Sequence, residues 1–351
     1  MKMMMLGMCR PVRDAWNLAS ERCNRSFHCF ADSDRRTNWG LKFSLVAVHL
    51  IFVGALFLFD VDLIQNTKKE PWYTAAYLLL FVATLVQYLF TSGSSPGYAI
   101  DAMRATNDSQ AIFTKKSTPS KQPALSKNRG LPISVEASNM GRTIPGMANT
   151  PWTKLVMEMY PPGSNIRSLT CSYCNIVQPP RTKHCYDCEK CVLQFDHHCV
   201  WLGTCIGQKN HCRFWWFIFE ETILCIWTGV FYISYLRSNF TRGWWKDAII
   251  IFFLAILSIC LVFLLLLLLF HSYLILTNQT TYELVRRRRI SYLRSVPERV
   301  YPFSKGICRN VYNFCCDCSG MYSMERLPSA QELEARSRPY TCCDVLSCRC
   351  C

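Results

Sequence analysis

The sequence predicts an all-α membrane protein in which four helices cross the bilayer. Three long apolar stretches contain no charged residue, and a fourth is interrupted only by two adjacent glutamates. An apolar stretch of about 20 residues is long enough to cross the hydrocarbon core as a helix. A run of cysteines and histidines lies between the second and third stretches, which indicates a small folded domain there.

The composition alone does not identify the chain as a membrane protein. The chain has 351 residues, 22 cysteines, an apolar content of 50% and a net charge of +15. That apolar content is close to the average of globular proteins. It excludes a mostly disordered chain, and the length excludes a small disulfide-stabilised scaffold.

The apolar stretches divide the chain into ten segments. Buried core helices of a soluble protein are the alternative, which Trp and Tyr at several ends of the stretches disfavour. The linker is rich in Ser, Thr, Asn, Lys and Pro, as is typical of flexible chain. The segments are a cytosolic N-terminal segment (1–42), a first span (43–59), a lumenal loop (60–71), a second span (72–90), a flexible cytosolic linker (91–150), a cysteine-rich domain (151–213), a third span (214–236), a second lumenal loop (237–247), a fourth span (248–276) and a cytosolic C-terminal region (277–351).

The distribution of basic residues predicts the orientation. Segments 1–42, 91–213 and 277–351 carry 8, 14 and 12 Lys and Arg, whereas loops 60–71 and 237–247 carry 2 and 3. Positive residues are retained on the cytosolic side, so both termini and the middle segment are expected in the cytosol. The positive charge therefore reports orientation and gives no support to nucleic-acid binding. The polar, basic N-terminal segment is not expected to be a signal peptide.

The cysteine-rich segment has the pattern of a metal-binding domain. Cytosolic thiols stay reduced, and the pairs Cys171/Cys174 and Cys185/Cys188 have the spacing of zinc knuckles. Seven cysteines and three histidines lie between 171 and 205. Two closed four-ligand zinc sites would use eight of them and leave two, which spacing alone does not identify. A cysteine outside such sites, beside a histidine and an aspartate, is a candidate nucleophile, and Asp196-His197-His198-Cys199 offers that combination.

At this point the sequence resembles the DHHC protein S-acyltransferases, also called palmitoyltransferases, and most closely a plant branch of them. The resemblance covers about 43–93 and 151–316. After the fourth span it includes a Thr-Thr-x-Glu motif (Thr280, Thr281 and Glu283) and a downstream motif that begins at Asn310. Within the cysteine-rich segment the matching residues are Cys171, Cys174, Pro179, Arg181, His184, Cys185, Cys188, Cys191, Asp196, His197, His198, Cys199, Trp201, Cys205, Ile206, Gly207, Asn210 and Phe214.

The resemblance implies two structural zinc sites and a catalytic centre. Its first zinc would be held by Cys171, Cys174, His184 and Cys191, and its second by Cys185, Cys188, His198 and Cys205. Cys199 would be the acylated nucleophile, His197 its general base, and Asp196 the residue that orients His197. The implied reaction moves a palmitoyl-type chain from acyl-CoA to Cys199 and then to cysteines of cytosolic or membrane-bound protein substrates.

Three positions depart from the family pattern, namely Ser95 in Ser95-Pro96-Gly97, Thr204 and Gln178, where the family has Asp, Asn and a basic residue. None removes a ligand or the nucleophile. An inactive zinc-finger membrane scaffold of the same fold is the main alternative, which the intact Asp196-His197-His198-Cys199 set disfavours. The spacing of Cys185, Cys188 and Cys191 disfavours a membrane-anchored RING ubiquitin ligase.

Weaker signals have several interpretations. Lys209, Arg213 and Trp201 are candidates for contact with acyl-CoA, as are the four arginines at 286–289, which we interpret first as an anchor to anionic lipid. Glu220 and Glu221 in the third span are expected to pair with a base, and His49 and His271 to hydrogen-bond within the bundle. His211 and Cys212 are a less favoured ligand pair, and cysteines of the C-terminal tail are candidates for acylation. The short first span and the plant resemblance favour the Golgi or vacuolar membrane.

Overall fold

The computed structural model describes residues 33–116, 150–239, 244–294, 296–316 and 322–337, and most of these residues are helical. The helices are α1 (Ser33–Phe59), α2 (Val61–Lys69), α3 (Pro71–Gly93), α4 (Ala99–Lys116), α5 (Pro151–Met157), α6 (Ile166–Leu169), α7 (His211–Asn239), α8 (Trp244–Thr277), α9 (Thr281–Val285), α10 (Ile307–Cys316) and α11 (Ala330–Ser337). Four short strands lie between α6 and α7, namely β1 (Lys183–Cys185), β2 (Lys190–Val192), β3 (His197–Cys199) and β4 (Thr204–Ile206).

Four of the helices are long and apolar enough to cross a membrane, so the protein is a multi-pass membrane protein. They are Trp39–Phe59 within α1, α3, His211–Ser238 within α7, and α8, whose mean hydropathy of 3.4 is the highest of the four. A helix satisfies its own backbone groups, which is why it is the form that an apolar segment takes in hydrocarbon. The helices extend beyond the apolar stretches, because the polar residues at the ends of a helix can lie at the interface between membrane and water.

Two helices occupy segments that the sequence predicts as loop and linker. Helix α2 lies in the segment 60–71, where the Asp60 carboxylate accepts a hydrogen bond from the Leu63 N–H at 2.9 Å. Helix α4 lies in the segment predicted as a flexible linker, because Ala99 and Ala102 are fully buried in an apolar cluster. Residues 117–149 of that linker lie outside the described residues. The division of the chain into the ten segments given above stays a prediction.

The chain forms two compact units. Among the described residues, the membrane-helix unit comprises 33–93, 199–204, 213–239 and 244–269. The cysteine-rich unit comprises 94–116, 150–198, 205–212, 270–294, 296–316 and 322–337. The segment that begins at Cys199 therefore belongs with the helices, while the rest of the cysteine-rich segment up to residue 198 does not.

Aromatic packing holds the membrane-helix unit together. The Tyr77 ring of α3 meets the Phe231 ring of α7 edge to face, with centroids 5.0 Å apart. The buried Tyr77 hydroxyl forms a hydrogen bond of 2.9 Å with the Thr228 hydroxyl, so the polar end of this side chain is satisfied. Edge-to-face aromatic pairs stabilise packing beyond the area that they bury.

The apolar helices also contain a pair of ionisable side chains. His49 Nε2 of α1 lies 2.7 Å from a carboxylate oxygen of Glu221 in α7, and His49 Nδ1 lies 2.8 Å from the Leu45 carbonyl. The expectation that Glu221 pairs with a base and that His49 is hydrogen-bonded is confirmed. Glu220 is different, because one of its carboxylate oxygens is buried without a hydrogen-bond partner among the described residues. Ionisable groups at membrane depth are costly unless they are paired in this way.

The cysteine-rich unit combines short strands with buried aromatic anchors. Strands β1 and β2 pair antiparallel, and β3 with β4 form a second two-stranded sheet. The Trp152 indole of α5 is 1% exposed and donates to the Val177 carbonyl at 2.9 Å. Trp152 therefore fastens α5 to the loop that precedes β1.

Candidate active site and metal centres

The first candidate metal centre is built from a knuckle turn and the β1–β2 ladder. The Cys174 N–H faces the Cys171 sulfur at 3.4 Å, and Asn175, with φ of 52°, donates its N–H to the Cys171 carbonyl at 2.8 Å. His184 and Cys191 are directly paired across the two strands. The ligand atoms of this cluster all lie within 4.8 Å of one another and belong to Cys171, Cys174, His184 and Cys191.

Neighbouring side chains orient these ligands. The His184 ring stacks on Tyr173 with ring centroids 4.7 Å apart, and its Nδ1 lies 3.3 Å from the Cys174 sulfur. Gln178, one of the departures from the family pattern, donates from its side-chain amide to the Cys191 sulfur at 3.2 Å. A hydrogen bond to a thiolate ligand fixes its direction, so Gln178 supports the centre.

The second candidate metal centre comprises Cys185, Cys188, His198 and Cys205, whose ligand atoms also lie within 4.8 Å of one another. The Cys188 sulfur lies 3.5 Å from His198 Nδ1 and 3.4 Å from the Cys205 sulfur. Hydrogen bonds from Cys185 and Cys205 lower the pKa of the Cys188 thiol to about 3. Negative sulfur so close to other sulfurs suits a divalent cation, and three cysteines with one histidine form a donor set of structural zinc sites.

The two clusters use eight of the ten cysteines and histidines between 171 and 205, which leaves His197 and Cys199. His197 Nδ1 lies 2.6 Å from an Asp196 carboxylate oxygen, and Asp196 is 1% exposed. The Asp196 carboxylate beside Nδ1 can only accept a hydrogen bond, so the proton of the neutral imidazole lies on Nδ1. The pair therefore leaves His197 Nε2 as an acceptor for a proton.

Two further hydrogen bonds hold the Asp196 carboxylate. The Thr281 N–H donates to it at 2.6 Å and the Thr281 hydroxyl at 2.9 Å. Burial alone would raise the pKa of Asp196, but the hydrogen bond with His197 and the charges of His211 and His197 hold that pKa well below its usual range. Asp196 is therefore a carboxylate that three donors surround.

Cys199 lies at the end of β3 and is 9% exposed. Its carbonyl accepts from the Gly203 N–H at 2.8 Å, which closes the turn that follows. Helix α3 holds this turn, because Tyr88 donates its hydroxyl to the Trp201 carbonyl at 2.9 Å and Ser92 to the Leu202 carbonyl at 2.7 Å. The candidate nucleophile thus begins a short segment that is fastened to a membrane span.

The motif after the fourth span caps a helix. Thr280 and Glu283 form a reciprocal capping box at the start of α9, and this box places Thr281 as the first residue of the helix. Asn310, which is 3% exposed, donates to the Leu276 carbonyl at 2.8 Å and accepts from the Lys305 N–H at 2.9 Å. Both motifs therefore join the end of α8 to the chain that follows it.

The candidate contacts of acyl-CoA lie in different places. Lys209 is exposed, and its ammonium lies 3.7 Å from the centre of the Tyr322 ring. Trp201 is 60% exposed and Arg213 is exposed. The four arginines at 286–289 line a pocket of about 560 Å³ together with Tyr273 and Tyr301.

The partners of three polar side chains, those of His271, His211 and Arg181, could not be identified from the sequence. The His271 ring lies 5.8 Å from the His197 ring, and His211 Nε2 lies 3.4 Å from His271 Nδ1. The expected hydrogen bond of His271 is thus confirmed, and His211 faces His271. Arg181 forms an ion pair with Glu283 at 2.8 Å. Sequence spacing carries no signal for these pairs, since their members are 60 and 102 residues apart.

The departure at Ser95 keeps a local hydrogen bond. The Gly97 N–H faces the Ser95 hydroxyl oxygen at 3.3 Å, and the Gly97 carbonyl accepts from the Leu193 N–H at 2.9 Å. The turn after α3 is therefore still fastened to the cysteine-rich unit. The third departure, Thr204, begins β4 and is buried.

Comparison with known proteins identifies the family. Residues 164–288 match the family model of the DHHC palmitoyltransferase domain. Protein S-acyltransferase 10 of Arabidopsis thaliana is 58% identical over 346 residues, which are 99% of this chain and 100% of that protein. Probable protein S-acyltransferase 6 of Arabidopsis thaliana is 30% identical over 309 residues, which are 85% of this chain and 66% of that protein. The chain therefore belongs to the DHHC palmitoyltransferase family, as a relative of the plant members.

Proposed function

We propose that this protein S-acyltransferase moves a palmitoyl-type chain from acyl-CoA to protein cysteines through a thioester on Cys199. The observation that carries the proposal is the buried Asp196–His197 pair at 2.6 Å, which directly precedes a cysteine outside both metal-ligand clusters. A free thiol is largely protonated at neutral pH, so a neighbouring base increases its reactivity. The same intact set disfavours the alternative of an inactive zinc-finger scaffold.

His197 is the proton carrier of both steps. In the first, its Nε2 takes the Cys199 proton, the thiolate attacks the thioester carbonyl, and the CoA thiolate leaves and takes the proton. In the second, Nε2 takes the proton of a substrate cysteine, whose thiolate attacks the acyl group on Cys199. The Cys199 thiolate then leaves and is reprotonated from the imidazolium. Asp196 keeps the proton of the neutral ring on Nδ1 and stabilises the imidazolium.

The two metal-ligand clusters are proposed as structural zinc sites, one held by Cys171, Cys174, His184 and Cys191 and the other by Cys185, Cys188, His198 and Cys205. Bound zinc would cross-link the short chain segments that carry the ligands. Each cluster offers four ligands, which leaves no open position for substrate. The acyl-transfer chemistry therefore belongs to Asp196, His197 and Cys199.

The proposed setting is an endomembrane with both termini in the cytosol. The excess of Lys and Arg in segments 1–42, 91–213 and 277–351 supports this orientation. The attachment of 199–204 to α3 supports a nucleophile close to the bilayer, where an acyl chain can enter hydrocarbon. Lys209, Arg213, Trp201 and the arginines at 286–289 are the proposed contacts of the CoA phosphates and ring. The Golgi or vacuolar membrane is the proposed location.

Autoacylation with labelled palmitoyl-CoA tests the proposal. We expect the wild-type protein to take up about one hydroxylamine-sensitive label at Cys199, and Cys199→Ser to lose that label because serine is not an adequate nucleophile there. Cys225→Ser, in a membrane span, is the matched control and should be labelled like the wild type. Equal labelling of Cys199→Ser and wild type would defeat the mechanism.

A further inference from the structure

A single buried arginine links the zinc-binding segment to two distant parts of the chain. Arg181 has a side chain 2% exposed and a positive φ of 66°. Its fork donates to both carboxylate oxygens of Glu283, at 2.8 and 3.0 Å, and to the side-chain and backbone oxygens of Asn278, both at 3.0 Å. The fifth donor is directed to Glu325 at 2.6 Å. A guanidinium has five N–H donors, so all of them are used.

Glu283 connects Arg181 to the Asp196–His197 pair through hydrogen bonds at the start of α9. The oxygen that accepts from Arg181 at 3.0 Å also accepts from the Thr280 N–H at 2.9 Å, as part of the capping box of α9. The first residue of that helix is Thr281, whose N–H and hydroxyl both donate to Asp196. A displacement of Glu283 would therefore move the donors that hold the Asp196 carboxylate.

Glu325 reaches Arg181 from a segment near the C-terminus that is docked along its length. This segment, 322–327, is called the strap. The Leu327 N–H donates to the Met159 carbonyl at 2.9 Å, and the Gln208 amide donates to the Ser323 carbonyl. Tyr322 and Met324 pack against the apolar cluster of the cysteine-rich unit. Contacts at four of its six positions, besides Glu325, show that the strap is part of the folded unit.

The charges of this network balance. Arg181 faces Glu283 and Glu325, and Glu325 also pairs with Lys305 at 2.9 Å. Burial alone would raise the pKa of Glu325, but Arg181 and Lys305 hold that pKa below its usual value, so Glu325 is charged at neutral pH. Removing one partner from a buried ion pair leaves an uncompensated donor and is strongly unfavourable. The Arg181 fork would then be free to move, and with it Glu283.

We propose that Glu325 of the strap is a positioning residue for acyl transfer, which acts through Arg181, Glu283 and Thr281 on the orientation of Asp196. The inference rests on the proposed roles of Asp196 and His197. Glu325 contacts neither Asp196 nor His197, so we expect its loss to lower the rate of the chemical step. Sequence position gives no hint of this link, because Glu325 lies 144 residues after Arg181.

Single-turnover autoacylation of the full chain with labelled palmitoyl-CoA tests the inference. We expect Glu325→Gln to lower the rate at saturating palmitoyl-CoA about tenfold, since small displacements of catalytic groups cost that much or more. The concentration of palmitoyl-CoA that gives half the maximal rate should not change. Glu325→Asp should restore part of the rate, because it keeps the charge. Asp101→Asn, which removes an acid of α4 that pairs with Arg104 outside this network, is the matched control.

A double-variant comparison separates positioning from a general loss of structure. In a Thr281→Val background, Glu325→Gln should lower the rate by less than about twofold further, because both changes act on the same path. Zinc content should stay at about two ions per chain in all variants. Hydrogen exchange over 322–329 reports the docking of the strap, and we expect faster exchange in Glu325→Gln than in Glu325→Asp.

The outcomes are distinct. A zinc-loaded Glu325→Gln protein that acylates at the wild-type rate would overturn the inference, and so would fully multiplicative effects of the two changes. Loss of zinc in Glu325→Gln together with a full rate loss in Glu325→Asp would also overturn it, since the role would then be structural. Failure of the proposed function would be seen in a different measurement, because Cys199→Ser would then be labelled by palmitoyl-CoA as strongly as the wild-type protein. If that occurred, unchanged hydrogen exchange over 322–329 in Glu325→Gln would also show that Glu325 does not hold the strap in place.

Discussion

The Asp196 carboxylate is held by groups from two distant parts of the chain. His197 is its neighbour in sequence, whereas the Thr281 N–H and hydroxyl reach it from the start of α9 at 2.6 and 2.9 Å. Three donors therefore converge on two oxygens, and all three require an acceptor that carries no proton. An amide in this position would turn its NH₂ group towards at least one donor.

We expect Asp196→Asn to lower the rate of autoacylation by about 10³- to 10⁴-fold while the fold persists. The change removes the negative charge and the acceptor that keeps the proton of His197 on Nδ1, and the same change in a serine-protease triad has an effect of about that size. The measurement is single-turnover autoacylation, with zinc content and thermal unfolding as checks on folding. Asp101→Asn, at a partly exposed acid of the same unit, is the control. A rate within about threefold of wild type would show that Asp196 does not orient the base.

At the scale of elements, three segments of the cysteine-rich unit meet closely at Gly207. A Cβ atom at Gly207 would lie 2.6 Å from a Val192 methyl group and within 3 Å of the carbonyl oxygens of Pro96 and Leu193. Two of these three atoms are backbone atoms, which cannot rotate away. Gly207 also lies two residues after Cys205, a candidate ligand of the second metal cluster.

Gly207→Ala should therefore destabilise the protein by roughly 2 kcal/mol or more, as overpacking against backbone does. We also expect weaker zinc retention at the second cluster, because the backbone that places Cys205 must shift. Thermal unfolding and a chelator competition assay measure the two effects. Gly54→Ala in α1 is the matched control, since a Cβ there meets nothing within 4 Å. Equal stability of the two variants would contradict the packing argument.

The elements also explain how much could be predicted from the sequence. The four spans were predictable because charge is nearly absent from them. The members of the two candidate metal clusters were predicted from the family resemblance, since the spacing of Cys171/Cys174 and Cys185/Cys188 reports only local turns. Helix α4 was not, because its polar composition hides the buried positions Ala99 and Ala102. The partners of Arg181 were not predictable either, since Glu283 and Glu325 lie 102 and 144 residues away and no local pattern brings them together.

At the scale of the whole molecule, the two units depend on different physical forces. In the membrane-helix unit each helix satisfies its own backbone, and aromatic pairs such as Tyr77–Phe231 supply packing. The part of the cysteine-rich unit that holds the metal ligands has four strands of three residues each. Two-stranded sheets of this size are not stable alone in water, so we expect metal bound at the two candidate clusters to add stability to that of the apolar cluster of this unit.

Removal of zinc should therefore affect one unit and spare the other. After treatment with a strong chelator, we expect autoacylation to be lost and limited proteolysis to cut within 164–210, because the ligand thiols no longer hold the strands together. Most of the helical circular dichroism should stay, since the helices depend on the bilayer or detergent. Added zinc should restore activity if the thiols are kept reduced. Cys171→Ser should reproduce the proteolysis without chelator, whereas Cys225→Ser, outside both clusters, should not. A chelated protein that stays active and resistant to protease would show that metal does not stabilise the cysteine-rich unit.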